Sequence, residues 1–464
     1  MKKTKIICTL GPSTYDENTI HKMVLEGMNV VRYNFSHAKK DEILKVNQYI
    51  NNIRKKTNRN IGILYDTKGP EFRCGQIQNG EVNLTEGLKL KIVKEEIIGS
   101  SKAISVNHPK SLSYIKVNDT ILIDDGLIKL LVIGKDKEGL ICVVERGGIL
   151  KSNKSISVPG RNLKIPFLSD ADLEDILFAI NNDADFLALS FVSCKEEINQ
   201  IKKILKDNNS NTLIISKIES RLGVQNIKEI VNASDGVMVA RGDLGVEVDM
   251  EKVPFIQRNI INECRKKGKI VIVATEMLES MTYNPRPTRA EISDVANSVL
   301  NGTDAVMLSG ETSIGKNPVE TVKMMSDICV MAESNLDYEV DFKHLKKDIK
   351  NAIASSAVET ANIISAKAIV AATMTGKTAR TISNLRSVCP IIATCTDEKV
   401  ARSLALSFGV FPKITKKFFA TDEVIKDAAL TAKKTLKLKK DDIVIITGAH
   451  PVDEQTNIMK IEKI

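Results

Sequence analysis

The segment NTLIISKIESRLGVQNIKEIVNASDGVMVARGDLG, residues 211–245, holds two short and mostly apolar runs separated by a helical stretch. The runs at 212–216 and 236–240 are rich in apolar and β-branched residues. A strand that is covered on both faces reads as continuously apolar, as in the buried strands of parallel sheets. The segment therefore predicts two buried parallel strands joined by a helix.

The same strand–helix unit recurs along most of the chain. Amphipathic helical stretches such as 18–26, 196–207 and 254–267 lie between the apolar runs. Eight such units are typical of a (β/α)₈ TIM barrel, so the predicted fold class is α/β. The predicted barrel strands are residues 5–9, 29–33, 61–65, 185–189, 212–216, 236–240, 270–274 and 304–308.

Two further regions interrupt or follow this barrel. Between the third and fourth strands, short alternating runs are separated by turns such as Asn79-Gly80, which predicts an inserted all-β domain. Beyond a charged linker, helices at 350–365 and 398–408 and strands at 368–372, 390–394 and 443–447 predict a separate α/β domain. The predicted limits are 1–68 and 165–340 for the barrel, 69–164 for the insertion and 341–464 for the C-terminal α/β domain.

The composition excludes several classes of protein. With 464 residues, of which 43% are apolar and 27% charged, the chain is typical of a globular protein with more than one domain. Its apolar runs are too short for a membrane span or a signal peptide, so we expect a cytoplasmic protein. The eight scattered cysteines form no C-x-x-C motif, so we expect neither a disulfide framework nor a zinc site. The net charge of +9 comes mostly from dispersed lysines, which indicate a solvated surface, and we expect no nucleic-acid binding because basic and aromatic residues are not interleaved.

Ionisable residues follow neighbouring predicted strands, and in such barrels these strand ends form the active site. Lys217 and Glu219 end one strand, and Asp243 follows the next. Two carboxylates with waters and a substrate oxygen suit Mg²⁺, and Lys217 would add the positive charge that phosphoryl transfer requires. Gly242 opens a helix whose free N–H groups would receive a carboxylate or a phosphate. The alternative for any single strand is a polar strand end without a catalytic role.

Two other stretches carry groups that suit ions and phosphates. The first comprises N-V-V-R-Y-N-F-S-H (29–37) and Y-D-T-K-G-P-E-F-R (65–73), which offer the oxygen ligands Asn34, Ser36, Asp66 and Thr67 and the cations Arg32, Lys68 and Arg73. The second is T-M-T-G-K-T (373–378), where a strand turns into a helix. Its hydroxyls, glycine and backbone N–H groups suit a phosphate, and a plain helix cap is the alternative.

Eight segments, in order along the chain, resemble the pyruvate kinase family. They are T-K-I-I-C-T-L-G-P (4–12), G-M-N-V-V-R-Y-N-F-S-H (27–37), D-T-K-G-P-E-F-R (66–73), I-D-D-G-L-I (123–128), I-I-S-K-I-E (214–219), M-V-A-R-G-D-L-G (238–245), N-P-R-P-T-R-A-E (284–291) and M-L-S-G-E-T (307–312). The resemblance covers essentially the whole chain and is to the bacterial type without an extra C-terminal extension. It implies phosphoryl transfer from phosphoenolpyruvate to ADP, giving pyruvate and ATP in the last step of glycolysis.

The resemblance also implies roles for individual residues. The metal ligands would be Glu219 and Asp243 for Mg²⁺ (or Mn²⁺), and Asn34, Ser36, Asp66 and Thr67 for K⁺. Arg32, Lys217, Thr275 and Ser309 would be catalytic, and Arg32, Lys217, Ala240, Gly242, Asp243 and Thr275 would bind the substrate. The nucleotide would contact Arg32, Asn34, His37, Arg73 and Lys154. A sugar-phosphate or nucleotide effector would bind Thr373, Thr375, Gly376, Lys377 and Thr378, the insertion would act as a lid, and the chain would form a homotetramer.

The chain departs from the family pattern at a few positions. Glu276 stands where the family usually has Gln, and the lid segment that is commonly G-V-N-L-P-G reads S-I-S-V-P-G at 155–160. One alternative function is a barrel lyase of the pyruvate-aldolase kind, which has no evident use for the lid or the cation ligands. Another is a catalytically silent metabolite sensor, against which the intact Lys217, Glu219 and Asp243 argue.

Overall fold

A computed structural model describes residues 1–338, 347–452 and 454–464 of the chain. Its strands are β1 (Lys5–Thr9), β2 (Val30–Asn34), β3 (Gly62–Asp66), β4 (Glu81–Leu84), β5 (Lys89–Val93), β6 (Ala103–Ser105), β7 (Thr120–Ile123), β8 (Ile128–Lys135), β9 (Gly139–Arg146), β10 (Gly148–Lys151), β11 (Ile156–Ser157), β12 (Phe186–Leu189), β13 (Leu213–Ile218), β14 (Gly236–Ala240), β15 (Ile270–Ala274), β16 (Ala305–Leu308), β17 (Ala368–Ala372), β18 (Ile391–Cys395), β19 (Val410–Ile414), β20 (Ile443–Gly448) and β21 (Ile458–Lys463).

The α-helices cover the barrel and the C-terminal sheet. They are α1 (Glu17–Glu26), α2 (Lys40–Thr57), α3 (Asp170–Asn181), α4 (Lys195–Asp207), α5 (Arg221–Gln225), α6 (Ile227–Ala233), α7 (Arg241–Glu247), α8 (Val253–Lys267), α9 (Arg289–Leu300), α10 (Gly310–Ser313), α11 (Pro318–Glu333), α12 (Ile349–Ile363), α13 (Lys377–Asn384), α14 (Glu398–Ser403) and α15 (Thr421–Leu436).

Eight parallel strands close into a barrel in the order β1-β16-β15-β14-β13-β12-β3-β2. Their residues are almost all buried, as the continuously apolar runs predict. The predicted fold class is confirmed, and the observed strand bounds lie within two residues of the predicted ones. The largest difference matters for the site: β13 continues to Ile218, so Lys217 lies inside the strand and not after it.

The insertion between β3 and α3 is built from β4–β11. Six of these strands form one sheet in the order β11-β7-β8-β9-β5-β6, and β10 pairs with β4 in a second. Leu90, Ile121 and Leu130 belong to an apolar core that is separate from the barrel core. Strands β6, β10 and β11 were not predicted; β6 and β11 have only three and two residues, which is too short to show an alternating pattern.

The C-terminal region is a five-stranded sheet in the order β19-β18-β17-β20-β21, and only β21 of these strands pairs antiparallel. The helix predicted at 398–408 is wrong in its second half, since α14 ends at Ser403. The chain turns there because Ala405 and Leu406 leave the helix and pack inside the barrel. Strands β19 and β21 were not predicted, and Pro412 and charged residues interrupt their apolar patterns.

Ala405 and Leu406 close the N-terminal end of the barrel, and we call this pair the barrel floor. They share one apolar cluster with the inward-facing Ile7, Leu64 and Phe186. Ion pairs surround the contact: Arg402 lies 3.0 Å from Asp185, just before β12, and Arg386 lies 2.8 Å from Asp304, just before β16. The C-terminal domain is therefore part of the barrel's packing.

The predicted domain limits at 68/69 and 164/165 stay predictions, and the limit at 340/341 lies outside the described residues. Among the residues that the structure describes, no helix is both long and apolar enough to cross a membrane.

Candidate active site

The C-terminal ends of the barrel strands surround a cavity of about 750 Å³, which we call the mouth. All eight strands, or the residues directly after them, contribute to its lining. The predicted site residues that line it are Arg32, Asn34, Ser36, His37, Thr67, Arg73, Lys217, Glu219, Ala240, Asp243, Thr275 and Ser309. Asp66 and Gly242 do not line the mouth themselves, but they form hydrogen bonds with the lining residues Lys217 and Thr275. Lys154 lines a neighbouring cavity.

Lys217 occupies the centre of a buried polar cluster and is only 8% exposed. Its Nζ lies 2.7 Å from Ser190 Oγ, 3.0 Å from Asp66 Oδ1 and 2.9 Å from Glu219 Oε1. Asp66 and Ser190 accept hydrogen bonds from two of the three N–H groups of the ammonium, and Glu219 adds an ion-pair contact. Although burial disfavours the charged form, the Asp66 and Glu219 carboxylates raise the pKa of Lys217 above its ordinary value.

Asp66 joins this lysine to a second cation. Its other oxygen, Oδ2, accepts a hydrogen bond from Arg32 Nε at 2.7 Å, and Arg32 also donates to Thr9 Oγ1 at 2.8 Å. Burial alone would raise the pKa of Asp66, but Lys217 and Arg32 hold it below its ordinary value. The carboxylate therefore stays ionised and holds two positive side chains at the wall of the mouth.

Glu219 and Asp243 line the same cavity, but their pKa values are raised, whereas that of Asp66 is lowered. Burial raises the pKa of Glu219 to about 7 despite the adjoining Lys217, and Asp243 and Asp66 add to the effect. Burial likewise raises the pKa of Asp243, against the influence of Lys217. Phe191 N donates to Glu219 Oε2 at 2.6 Å and fixes that carboxylate. Raised pKa values mean that the ionised forms of these two carboxyl groups are disfavoured. A cation bound between them would stabilise the ionised forms.

This donor set fits a hard divalent ion that keeps most of its waters. Among the described residues there is no cluster of three or more His, Cys, Asp or Glu that would form an all-protein metal cage. Mg²⁺ is commonly held by one or two carboxylates together with waters and substrate oxygens. Glu219 and Asp243 therefore suit Mg²⁺ or Mn²⁺ better than zinc.

Thr275 and Gly242 form a second polar group across the mouth. Gly242 N donates to Thr275 Oγ1 at 2.9 Å, so this N–H, which we expected to be free, has a partner in the structure. Thr275 has a φ of 68°, which is costly for a β-branched residue. Arg241 holds this conformation by donating to the Thr275 carbonyl oxygen at 2.6 Å. Nearby, the buried Ser309 Oγ has no hydrogen-bond partner among the described residues.

The four residues proposed for K⁺ lie together on the β2 and β3 side of the mouth. Asn34 ends β2, and its Oδ1 accepts a hydrogen bond from Ser36 N at 3.0 Å. Asp66 ends β3, and Asn34 and Asp66 are paired in the register of the two strands. With Thr67 they supply one carboxylate and several neutral oxygens, which fits a monovalent cation beside the anionic mouth.

The insertion reaches the mouth through Arg73 and its neighbours. Arg73 forms a bidentate ion pair with Glu71, at 2.6 and 2.8 Å, and Lys154 lies 2.7 Å from Asp124. A cavity of about 920 Å³ between insertion and barrel shares Glu71, Arg73 and Asp243 with the mouth. Ser157 of the insertion donates to Glu247 at the end of α7.

The predicted effector loop lines a separate cavity of about 530 Å³ in the C-terminal domain. Thr373, Thr375, Lys377 and Thr378 lie on it, with Lys350 and Lys416 on other parts of the wall. Gly376 has a φ of 77°, and its N–H donates to Thr373 Oγ1 at 2.9 Å. Thr378 is buried and its hydroxyl pairs with Thr456, so the hydroxyls on the exposed part of the loop are those of Thr373 and Thr375.

Some residues in and near the mouth received no role from the sequence. Ser190 and Thr9 were noted there only as polar strand ends, yet they contact Lys217 and Arg32. Glu247 was missed altogether. The signal for Ser190 and Thr9 was their place after buried strands; for Glu247 there was none, because its contact depends on the tertiary position of the insertion.

Comparison with known proteins matches the whole chain to one family. The models described as pyruvate kinase, barrel domain, and pyruvate kinase, alpha/beta domain, match residues 1–322 and 351–462. A pyruvate kinase of Clostridium perfringens is 42% identical over 100% of both chains, and one of Sporosarcina psychrophila is 43% identical over 100% of this chain and 81% of its own. A crystal structure of a pyruvate kinase from Cryptosporidium parvum, 37% identical, covers 100% of this chain and 96% of that one with a TM-score of 0.95.

Proposed function

Because this chain belongs to the pyruvate kinase family, which transfers the phosphoryl group of phosphoenolpyruvate to ADP, we propose that the cluster around Lys217 carries that transfer. The observation that supports it is the contact of Lys217 with both Asp66 and Glu219 inside the mouth. The transferred group passes through a state whose negative charge is spread over its equatorial oxygens. A preorganised ammonium stabilises that state more than the ground state, and Arg32, held by the same Asp66, adds a second positive charge.

The family generally depends on Mg²⁺ and K⁺. In this chain we propose Glu219 and Asp243 as the protein ligands of Mg²⁺ or Mn²⁺, on the strength of the burial of Glu219 and the raised pKa values of both carboxyl groups. The divalent ion supplies positive charge to the phosphoryl oxygens and to the developing enolate. Phe191 N keeps Glu219 oriented toward the mouth.

The carboxylate of phosphoenolpyruvate would lie against Thr275, Ala240 and the first turn of α7. There the Asp243 N–H would receive it, together with the Gly242 N–H once that group exchanges its hydrogen bond to Thr275 Oγ1 for one to the substrate. Positioning the substrate by its carboxylate fixes the phosphoryl group relative to Lys217. Ser309 Oγ, which has no partner among the described residues, is placed to hold a water or substrate oxygen near the carbon that is protonated. Thr275 lies on the same wall, so both hydroxyls support a proton path to the enolate.

For K⁺ we propose Asn34, Ser36, Asp66 and Thr67, whose oxygens lie on one side of the mouth. The charge balance favours this role, because phosphoenolpyruvate and ADP both bring negative charge to a cavity that already holds Glu71 and Glu219. A monovalent cation there offsets the repulsion without competing for the divalent site.

We propose that ADP enters between the insertion and the barrel, with Arg32, Asn34, His37 and Arg73 on the mouth side and Lys154 on the lid. Lid closure would then exclude water, so that the phosphoryl group reaches ADP and is not hydrolysed. The cavity shared by lid and barrel, and the Ser157–Glu247 contact, support this arrangement.

We further propose that a sugar-phosphate or nucleotide effector binds the cavity lined by Thr373, Thr375 and Lys377, with Gly376 shaping the loop. Hydroxyls and lysines on its wall support an anionic ligand. A homotetramer and a cytoplasmic place of action, as expected of a glycolytic enzyme, complete the proposal. Gel filtration with light scattering tests the tetramer.

The direct test is a coupled assay that follows pyruvate formed from phosphoenolpyruvate in the presence and absence of ADP. We expect ADP-dependent turnover that needs Mg²⁺ and is lost in Glu219→Gln. Glu229→Gln, a carboxylate on α6 away from the mouth, is the matched control and should keep parent activity. Full activity in Glu219→Gln would contradict the proposed metal site, and pyruvate release that does not need ADP would contradict phosphoryl transfer to ADP.

A further inference from the structure

Ser190 lies directly after β12, is 2% exposed, and has no role in the phosphoryl transfer proposed above. Its Oγ lies 2.7 Å from Lys217 Nζ, 2.7 Å from the carbonyl oxygen of Thr67 and 3.3 Å from Asp66 Oδ1. Its backbone N–H also donates to Thr67 Oγ1 at 3.2 Å. One buried hydroxyl therefore contacts the central lysine and two residues of the potassium cage, by which we mean Asn34, Ser36, Asp66 and Thr67.

The direction of these hydrogen bonds follows from counting protons. A hydroxyl has one hydrogen to donate and two lone pairs, whereas the Lys217 ammonium only donates. The Ser190 hydroxyl accordingly accepts from Lys217 and donates to Thr67 O, which is the closer of its two acceptors. The result is a directed chain from Lys217 through Ser190 to the Thr67 carbonyl.

We propose that Ser190 is a positioning residue that couples the potassium cage to Lys217, an inference that rests on the roles proposed above for Thr67 and Lys217. Asp66 and Ser190 hold two of the three N–H groups of Lys217 from the cage side. The ammonium also forms an ion pair with Glu219 at 2.9 Å, on the side where the divalent ion and the phosphoryl group are proposed to bind. A cation that orders Thr67 O and Asp66 thereby orders both fixed contacts of the ammonium, and with them the direction of its third N–H.

The coupling gives K⁺ a second effect besides charge balance. Without Ser190, Lys217 keeps Asp66 but gains freedom to rotate about its last bonds. A misplacement of about 1 Å at a reacting centre is enough to lower a rate by about 10²-fold. The change weakens stabilisation of the transition state more than it weakens substrate binding. We therefore expect kcat to fall while the KM for phosphoenolpyruvate changes little.

The test uses Ser190→Ala and Ser190→Cys. The cysteine fills nearly the same space, but its sulfur is a weak donor and acceptor, so it separates hydrogen bonding from packing. Ser216→Ala is the matched control: Ser216 precedes Lys217 on β13 and is fully buried, but its hydroxyl pairs with Ser234. Two quantities are measured for each protein, namely kcat and KM at saturating K⁺, and the rise in unfolding midpoint when KCl replaces tetramethylammonium chloride in the presence of phosphoenolpyruvate and Mg²⁺.

We expect kcat to fall about 10- to 100-fold in both Ser190 variants, with the KM for phosphoenolpyruvate within about threefold of the parent value. Their K⁺-specific rise in unfolding midpoint should shrink to less than half of that in the parent and in Ser216→Ala. The coupling alone is overturned if both Ser190 variants keep the K⁺-specific rise in unfolding midpoint that the parent shows. It is also overturned if either variant keeps a kcat within twofold of the parent value. A parent protein without any K⁺-specific rise overturns the proposed cage, and the coupling with it.

Discussion

Replacing Lys217 with methionine removes the central charge of the mouth while keeping much of the side-chain volume. The ammonium makes three contacts of 2.7–3.0 Å in a buried site, so its field is weakly screened and acts where charge develops during transfer. We expect kcat to fall by at least about 10³-fold, which corresponds to about 4 kcal/mol of transition-state stabilisation.

The fold should survive this change better than a broken buried ion pair usually allows. Asp66 keeps Arg32 at 2.7 Å, and Glu219, whose pKa burial already raises to about 7, readily takes up a proton. The loss in unfolding free energy should therefore stay below the roughly 3–5 kcal/mol typical of a buried charge left without its partner.

The assay is pyruvate formation at saturating phosphoenolpyruvate, ADP, Mg²⁺ and K⁺, together with the midpoint of thermal unfolding. Lys40→Met is the matched control, because Lys40 also forms an ion pair, with Asp175 at 2.9 Å, but outside the mouth. The control should keep its turnover. A Lys217→Met enzyme that retains more than a tenth of parent kcat would refute the role assigned to this lysine.

Three further outcomes follow from other parts of the chain. Turnover should depend strongly on K⁺ and much less on Na⁺, and Glu71→Lys, which puts a fixed positive charge beside the cage, should retain appreciable activity without K⁺. Thr375→Glu should abolish activation by sugar phosphates, because it places like charge in the proposed effector cavity, while activity without effector stays at the parent level. Leu406→Ala should lower the free energy of unfolding by about 2–5 kcal/mol, since the barrel interior around this fully buried side chain has little freedom to collapse. The exposed Leu430→Ala on α15 should change that free energy by less than about 0.5 kcal/mol.

Each of these outcomes has a result that would contradict it. Full parent turnover in K⁺-free buffer would leave the potassium cage without a function. Unchanged activation of Thr375→Glu would place the effector elsewhere. A Leu406→Ala protein as stable as Leu430→Ala, by urea unfolding, would show that the barrel floor contributes little.

The barrel could be predicted from the sequence because each of its strands is buried on both faces and therefore reads as a continuous apolar run. Lys217, Glu219 and Asp243 follow or end neighbouring strands, and this position in the sequence suffices to predict that they meet at one mouth. Periodicity does not predict which atoms meet. That Asp66 lies between Arg32 and Lys217 depends on side-chain directions across the barrel interior.

One wrong prediction, the helix at 398–408, and one missed contact, between Ser157 and Glu247, have a common cause. The helix predicted at 398–408 ended early because packing of Ala405 and Leu406 under the barrel outweighs local helix propensity. The contact of Ser157 with Glu247 joins residues 90 positions apart, on different domains. Both depend on tertiary contacts that a local sequence pattern does not contain. The motifs around Lys217 could be interpreted because they end or follow buried strands that the sequence itself indicates.

Because of the barrel floor, the C-terminal domain is harder to separate from the barrel than the insertion is. The insertion leaves the barrel after β3 and returns before α3, so another domain could replace it without disturbing the strands themselves. A shortened chain that stopped before α12 would lack Ala405 and Leu406 and would open Ile7, Leu64 and Phe186 to water from below. In protein engineering terms, the insertion is an exchangeable module. The C-terminal domain, in contrast, is a structural component of the barrel and can be swapped only if the lowest layer of the barrel is redesigned with it.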